Sequence, residues 1–462
     1  MSRRPSKDWV WQSAKQASNT MTTKSTVALE LDDIQAGALE PRPVPYAGLY
    51  QILRLDDRRD GRELLRRLIP YLDSVASFDT KGLVSLAVGF SFQGLKAIGV
   101  PEESLATFPV EFQQGMAARA AELGDVGENS PEHWEKPLGS KDVHLVVVGL
   151  APDTVRLEAA VRHAQEALRD LRGVVPIWQQ KVQAATDLRN TFGFADGIAH
   201  PAVEGSGIPG TNPHEEPLKA GEFVLGYEDE LHNISPVPQP EVLGRNGTYA
   251  VFRKLHTRVA AFRQYLSQRA KNRSEEQWLA AKIVGRWPSG APLALSPETD
   301  DPELGADMKR NNAFMFGDDP RGLKSPLGSH VRRMNPRDSF IIGVARLHRM
   351  IRRGTNYGPQ LPTGVQEDDG VDRGLLFAFV GAHLDRQFEF VQREWANDGR
   401  FIGAPAEKDP LVSTSDSREF TIPKQPIRLH LHGLPAFVVN RGGEYCFMPG
   451  LRALHWLAEL DT

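Results

Sequence analysis

The chain has 462 residues, 40% of them hydrophobic and 25% charged, which is typical of a globular protein with a large core. Its 55 basic and 59 acidic residues leave a formal net charge of −4, and no apolar run approaches the length of a membrane span, so we expect neither a nucleic-acid nor a membrane partner. The single cysteine, Cys446, excludes an intramolecular disulfide and a cysteine-based zinc site.

The first 27 residues are polar and open with Arg3-Arg4. An arginine pair of this kind is typical of twin-arginine leaders, but the following "QSAKQASNTMTTKST" contains no apolar segment. We therefore interpret residues 1–27 as a mobile polar arm and expect a cytoplasmic protein.

Strand and helix patterns alternate along residues 28–190. Segments rich in β-forming residues predict four strands, at 47–55, 83–91, 142–150 and 173–182. Helical spacing follows the first three, and Asp153 is suited to cap the helix after the third. These residues form the first predicted domain.

Residues 247–462 repeat this rhythm and form the second predicted domain. Strands at 247–255 and 375–384 each precede a helical segment, and the whole pattern predicts an α+β fold built from split βαβ units. The intervening residues, 191–246, are rich in glycine and proline and are interpreted as a long functional linker. Two further stretches, 285–337 and 403–427, are predicted to be irregular.

One linker motif, "TFGFADGIAHP" at 191–201, places Asp196 among glycines and phenylalanines. Asp-Gly is a common turn dipeptide, so a simple turn is one interpretation. The other is a carboxylate held close to a ligand, because glycines permit close backbone approach and aromatic rings line apolar cavities.

Two later motifs carry histidine and arginine. In "GSHVRRMNPRDSF" (328–340), His330 precedes three arginines, and in "HRMIRRGTNYG" (348–358), Arg352 and Arg353 stand before a glycine. A lone histidine is more often structural than a ligand, and a basic segment is more often a solvated helix end.

Taken in order, these motifs, with "GEFVLGY" (221–227), "GLLFAFVGAHLDRQFEFVQREW" (374–395) and "NRGGEYCFMPGL" (440–451), resemble the long form of the dye-decolorizing peroxidases. The resemblance runs from about residue 30 to the C-terminus. It implies two ferredoxin-like domains, each an antiparallel sheet with helices. It also implies one haem b per chain, in a cavity of the C-terminal domain.

The resemblance also assigns roles to residues. His330 matches the proximal ligand of the haem iron, Asp196 the distal acid and Arg352 the distal arginine. Arg352 is preferred to Arg353 because the family's arginine lies two places before the glycine.

Other positions are candidates with a structural alternative. Asp409 is our candidate to accept the second imidazole N–H, although Asp-Pro is also a turn signal. Leu375 and Phe377 share one face of a strand and flank the family's distal pocket, or they are ordinary core residues. The three arginines suited to haem propionates, or to the surface, are Arg332, Arg333 and Arg337.

We therefore predict a haem peroxidase that reduces hydrogen peroxide and oxidises dyes or phenolic donors by one-electron steps. The alternative is a haem protein for storage, sensing or delivery, without significant turnover. An aspartate base, with a reference pKa of about 3.9 against about 6.5 for histidine, favours an acidic pH optimum. A homo-oligomer and a cargo enclosed in a protein shell are both compatible with the sequence.

Two groups of side chains outside this constellation are weaker candidates. Trp395, Tyr445 and Trp456 are candidate surface electron relays, although core packing is the commoner role of such residues. His430 and His432 in "RLHLHG" are expected to share a strand face suited to a metal ion, but two ligands are too few for a site.

Overall fold

The computed structural model describes residues 28–78, 84–339, 343–414 and 418–460, and the predicted polar arm at 1–27 lies outside these residues. The strands in the described ranges are β1 (Ala47–Leu55), β2 (Ser85–Phe90), β3 (Leu145–Ala151), β4 (Val174–Gln183), β5 (Thr248–Thr257), β6 (Ile351–Arg352), β7 (Thr355–Tyr357), β8 (Gly374–Gly381), β9 (Arg418–Ile422), β10 (Leu429–Leu434) and β11 (Val438–Met448).

Helices cover the sheet and connect its strands. The α-helices of the described ranges are α1 (Ala36–Leu39), α2 (Arg58–Leu68), α3 (Phe92–Ile98), α4 (Glu102–Leu105), α5 (Val110–Gln114), α6 (Ala120–Leu123), α7 (Thr154–Ala167), α8 (Glu241–Gly244), α9 (Val259–Ser267), α10 (Arg273–Val284), α11 (Pro302–Ala306), α12 (His330–Met334) and α13 (Leu451–Ala458). The segments Leu384–Glu389 and Val391–Ala396 are π-helical, a form that is rare in proteins.

Nine strands form one antiparallel sheet. Its order is β4-β1-β3-β2-β11-β5-β8-β6, and β7 also pairs with β8. The two halves have the same strand order along the sheet, because β11, β5, β8 and β6 of the second half take the places of β4, β1, β3 and β2 of the first. This arrangement agrees with the predicted α+β fold of two ferredoxin-like halves, whereas the boundaries at residues 190 and 246 stay predictions.

The two halves share a core. Strands β2 and β11 meet at Phe90 and Phe447, which are both fully buried. On this face of the sheet, one continuous apolar cluster includes Leu65 of α2 and Leu457 of α13. The apolar sides of these helices thus cover both halves together.

The ends of the sheet curl toward each other. The Asn356 N–H, on β7, donates to the Tyr46 hydroxyl beside β1 at 2.6 Å, and β4 also approaches β7. The opposite face of the sheet therefore encloses its own apolar cluster, which includes Ile52, Phe252 and Cys446.

The sequence predicted the strands of the first half well and the later irregular regions less well. Strand β1 has the predicted bounds, and β2 to β5 and β8 differ by a few residues. The prediction that 403–427 is irregular is wrong at β9. The sequence does not reveal this strand, because it is short and pairs only with β10 among the described strands. Within 191–246, α8 is the one α-helix described. No helix in the described parts of the chain is long and apolar enough to cross a membrane.

Candidate functional site

His330 begins helix α12, and its imidazole is held by a buried carboxylate. The His330 Nδ1 lies 3.0 Å from Asp409 Oδ2, and the other Asp409 oxygen accepts the backbone N–H groups of Leu411 and Val412 at 2.9 and 2.8 Å. Burial alone would raise the pKa of Asp409, but His330, Arg333 and the Val412 N–H hold that pKa below its ordinary value. An ionised Asp409 fixes the proton on Nδ1 and leaves Nε2 as the atom available to a metal.

Close packing fixes the chain just before His330. A Cβ on Gly328 would lie 3.3 Å from the Phe420 ring of β9 and 3.2 Å from the Glu407 carboxylate. Ser329 is fully buried and donates to the Pro326 carbonyl at 2.7 Å. The position of the imidazole is therefore set by neighbours on both sides of the sequence.

Asp196 lies in a turn between two glycines with left-handed backbone. Gly193 and Gly197 have φ of +90° and +75°, values that favour glycine. The Asp196 carboxylate is partly exposed and accepts from Arg42 Nη2 at 2.9 Å, while Arg42 Nε donates to the Gly354 carbonyl at 2.9 Å. Arg42 thus joins the Asp196 turn to the chain directly after Arg352 and Arg353.

The sheet register separates these two arginines. Arg352 pairs with Phe379 of β8, so its side chain lies on the same face as Leu375 and Phe377. Arg353 points to the opposite face, where it is buried and donates to the Leu39 carbonyl at 2.6 Å. The predicted set of Arg352, Leu375 and Phe377 is therefore brought together on one wall.

Arg352 is accessible to solvent, although surrounding protein atoms desolvate its guanidinium group. The residue is accessible, yet desolvation lowers its pKa, the nearby Asp196 carboxylate opposes this, and Arg349 adds to it. A guanidinium that projects into a recess of the protein would be both accessible and desolvated. Leu375 and Phe377 are only partly buried on the same wall, whereas Leu376 between them is fully buried.

One loop, residues 285–292, links the His330 helix to the Asp196 turn. A Cβ on Gly285 would lie 2.9 Å from Val331, and one on Gly290 would lie 3.2 Å from Ala195. The Ala195 N–H also donates to the Pro288 carbonyl at 3.1 Å. The neighbours of His330 and of Asp196 therefore pack on the same loop.

Buried arginines gather around this loop. Burial, Arg337 and Arg352 lower the pKa of Arg286 to about 9, and burial lowers that of Arg337 to about 10. Several of their N–H groups donate hydrogen bonds to backbone carbonyls, and the Arg337 Nε has no hydrogen-bond partner among the described residues. The buried positive charges of Arg286 and Arg337 suit the carboxylates of the haem that the resemblance implies. The His330 imidazole, held by Asp409, suits its iron.

Two of the three arginines predicted for propionates, Arg332 and Arg333, are engaged by protein groups. Arg332 pairs with Asp319 at 3.1 Å and donates to the Ser325 carbonyl at 2.7 Å. Arg333 is fully buried and donates to the Trp395 carbonyl at 2.8 Å. Both guanidinium groups therefore stabilise the protein around α12, and Arg337 alone of the three contributes to the arginine cluster.

The predicted surface relays are mostly interior residues. Trp395 and Tyr445 are each 1% exposed, which contradicts a surface position, and the Tyr445 hydroxyl donates to Glu389 at 2.8 Å. Trp456 of α13 is partly buried and packs against the main core.

Arg42 and Arg286 were not found from the sequence. Arg42 lies 154 residues before Asp196, in a proline-rich segment without a motif. Arg286 follows α10 in a stretch predicted to be irregular. Their roles depend on tertiary contacts, so no local pattern indicates them.

Comparisons with known proteins agree with this architecture. A family model described as a DyP dimeric alpha+beta barrel domain matches residues 72–184. The dye-decolorizing peroxidase msp1 of Mycetinis scorodonius is 30% identical over 423 residues, covering 85% of this chain and 80% of that protein.

Two solved structures are similar over nearly the whole chain. The DyP-type peroxidase of Auricularia auricula-judae has a TM-score of 0.80 and 26% identity, covering 93% of this chain and 99% of that one. A dye-decolorizing peroxidase in complex with 2,6-dimethoxyphenol has a TM-score of 0.78 and 25% identity, covering 93% and 100%.

Proposed function

This chain belongs to the dye-decolorizing peroxidase family and is a peroxidase, and from this premise we propose that Asp196, Arg352 and His330 carry its reaction with hydrogen peroxide. The main support is the shared loop 285–292, against which the neighbours of His330 and of Asp196 both pack. Arg352 lies within electrostatic reach of Asp196. An acid, a cation and an imidazole backed by a carboxylate are the groups that peroxide cleavage requires.

On the proximal side, His330 Nε2 would hold one haem b per chain, and Arg337 and Arg286 would attract its carboxylates. Haem, when bound, supplies a redox-active iron. The Asp409 carboxylate, 3.0 Å from Nδ1, orients the imidazole and strengthens its electron donation.

On the distal side, Asp196 would take a proton from one peroxide oxygen and deliver it to the other, which then leaves as water. Arg352 would stabilise the negative charge that develops as the O–O bond breaks. Leu375 and Phe377 would limit the water that reaches these groups.

The reducing substrates we propose are dyes and phenolic or other aromatic donors, oxidised one electron at a time. A structural relative was solved with 2,6-dimethoxyphenol, which supports a small phenol as the first donor to test.

An acidic optimum follows from an aspartate base. A carboxylate remains deprotonated at lower pH than an imidazole, given reference pKa values of about 3.9 and about 6.5. Because such a base is already deprotonated at pH 5, the rate of dye oxidation is expected not to rise from pH 5 to pH 8, as it would with an imidazole base. A rate that rises over this range would contradict the role of Asp196.

The first experiment is an absorption spectrum of the haem-loaded protein before and after one equivalent of peroxide, followed by a reducing dye. We expect the Soret band to change and then recover. Asp196→Asn should retain haem and lose about 10²–10⁴-fold in the rate of this change, as expected for loss of an acid–base group. The exposed Asp187→Asn, from the same region, is the matched control and should leave the rate unchanged.

His330→Ala tests the other side of the proposed site and should alter the haem spectrum. An unchanged spectrum would exclude His330 as the ligand. A stable Soret band in the wild-type protein, with no response to peroxide, would instead favour the haem-storage alternative. The mechanism does not depend on where the protein is located in the cell, on whether it forms a homo-oligomer or on whether a protein shell encloses it. These three points stay predictions.

A further inference from the structure

The β9–β10 hairpin brings together three side chains that are suited to a metal ion. His430 and His432 are two residues apart on β10, and Glu419 lies on β9. One ligand atom from each of them lies within 4.8 Å of the other two. We propose that Glu419, His430 and His432 form a site for a divalent transition-metal ion such as Zn²⁺, separate from the peroxidase centre.

Strand pairing explains why the three side chains meet. Phe420 pairs with Leu431, and both are buried in the apolar cluster beneath the hairpin. Because side chains alternate along a strand, the residues on either side of these two point outward. A register shift after Leu431 then brings Glu419 between the two imidazoles.

The two carboxylate–imidazole distances are close to those around a coordinated ion. Glu419 Oε2 lies 3.4 Å from His430 Nε2, and Glu419 Oε1 lies 3.7 Å from His432 Nδ1. A tetrahedral ion with bonds of about 2.0–2.1 Å separates its ligand atoms by about 3.3–3.4 Å. Side-chain rotations that bring the three ligand atoms from within 4.8 Å of one another to this spacing would complete the site.

A second layer of contacts prepares the hairpin. The Thr421 Oγ1 lies 2.8 Å from His430 Nδ1, and an N–H donated there leaves Nε2 free to bind metal. The His432 carbonyl accepts from the Tyr265 hydroxyl and from Arg269 Nη2, both at 3.0 Å. These bonds anchor the backbone at His432 to helix α9 and to the residues just after it, so this part of the hairpin is partly preorganised.

The ligand set indicates which ions would bind. Two imidazoles and one carboxylate suit Zn²⁺, Cu²⁺ or Ni²⁺, whereas Mg²⁺ and Ca²⁺ prefer oxygen ligands. The His432 side chain is 67% exposed, so water has access to the remaining coordination positions. We therefore expect micromolar affinity for Zn²⁺ rather than the tighter binding of a closed structural site.

The test is calorimetric titration of Zn²⁺ into the haem-loaded, tag-free full chain after treatment with a chelator. We expect one such site per chain. His432→Gln, at an exposed side chain, and Glu419→Gln, at a partly buried one, should each weaken it at least tenfold. His163→Gln is the matched control, because His163 is an exposed histidine with a single carboxylate neighbour, Glu166, at 3.7 Å.

Three results would overturn the proposal: no Zn²⁺ binding, an affinity unaffected by substitution at Glu419 and His432, or Mg²⁺ binding as tightly as Zn²⁺. The last result would indicate a nonspecific acidic surface. Retained peroxidase activity in His432→Gln would show that this variant is folded, so loss of metal binding could be assigned to the site itself.

Discussion

Single residues of the candidate site differ in how far the sequence reveals them. The motif around His330 and the Asp-Pro of Asp409 led to a predicted pair, and their atoms lie 3.0 Å apart in the structure. The choice between Arg352 and Arg353 rested on a family position and stays a prediction, while the pairing of Arg352 with Phe379 puts its side chain on the face of Leu375 and Phe377. Arg42 was beyond prediction, because its contact with Asp196 depends on how distant segments fold together.

Replacing Asp409 with asparagine tests the proximal pair. The neutral amide keeps the shape of the carboxylate but no longer strengthens electron donation by His330. We expect a higher haem reduction potential and about a 10–100-fold loss of peroxidase activity, measured by spectroelectrochemistry and steady-state kinetics. The exposed Asp318→Asn is the control, and an unchanged potential in Asp409→Asn would contradict the assigned role.

Replacing Arg42 tests whether the Asp196 turn needs its partner. Arg42→Ala removes the bonds to Asp196 and Gly354, so the carboxylate loses a fixed position. We expect kcat/KM for the dye to fall about tenfold, because small displacements reduce the rate of an oriented reaction. The haem spectrum should stay unchanged.

Arg42→Lys restores the charge with fewer directed bonds, and partial recovery of activity is expected. Arg54→Ala removes an exposed arginine that pairs only locally with Asp56, and it serves as the control. Equal activity of Arg42→Ala and wild type would rule out positioning by Arg42.

At the scale of secondary structure, strong local patterns predicted the right elements. Strand β1 has its predicted bounds, and Asp153 caps α7 by accepting the Arg156 N–H at 2.8 Å. Strand β9 was missed because it is stabilised by burial of Phe420 under a two-stranded hairpin rather than by its own pattern. Tertiary packing decides such short strands.

Strand β11 carries a buried carboxyl group whose effect on stability depends on pH. Burial raises the pKa of Glu444 to about 7, although hydrogen bonds from the backbone N–H groups of Met116 and Tyr445 partly lower it. Between pH 4.5 and 7 the folded state therefore holds a proton that the unfolded state has released. The free energy of unfolding should fall as pH rises through this range.

Glu444→Gln keeps a hydrogen-bond acceptor and removes this titration. The unfolding free energy of the variant minus that of the wild type should increase by up to about 3 kcal/mol from pH 4.5 to pH 8, because only the wild type loses stability through this titration. Urea unfolding at several pH values measures the difference. A constant difference across this range would show that Glu444 does not titrate as described.

For the whole molecule, the alternating segments predicted the α+β class, and the family resemblance supplied the two ferredoxin-like halves. The joining of these halves into one sheet was not predictable, because β2 and β11 carry no pattern that identifies each other as partners. Their common core includes residues from α2 and α13, near opposite ends of the described chain.

A shared core predicts cooperative unfolding. Calorimetry of the haem-free chain should give a single transition with equal calorimetric and van't Hoff enthalpies, because neither half can expose its side of the cluster alone. Haem should raise the midpoint of this transition. Two separate transitions would indicate that the halves are independently stable.

The seam between β2 and β11 also has a consequence during synthesis. More than two hundred residues separate the end of β4 from the end of β11, so the first half leaves the ribosome long before its partner strand exists. At roughly 5–20 residues per second, the edge of β2 stays unpaired for tens of seconds. An open strand edge is a template for aggregation. Slow translation of the second half should therefore lower the soluble yield, and a chaperone that shields β2 should restore it.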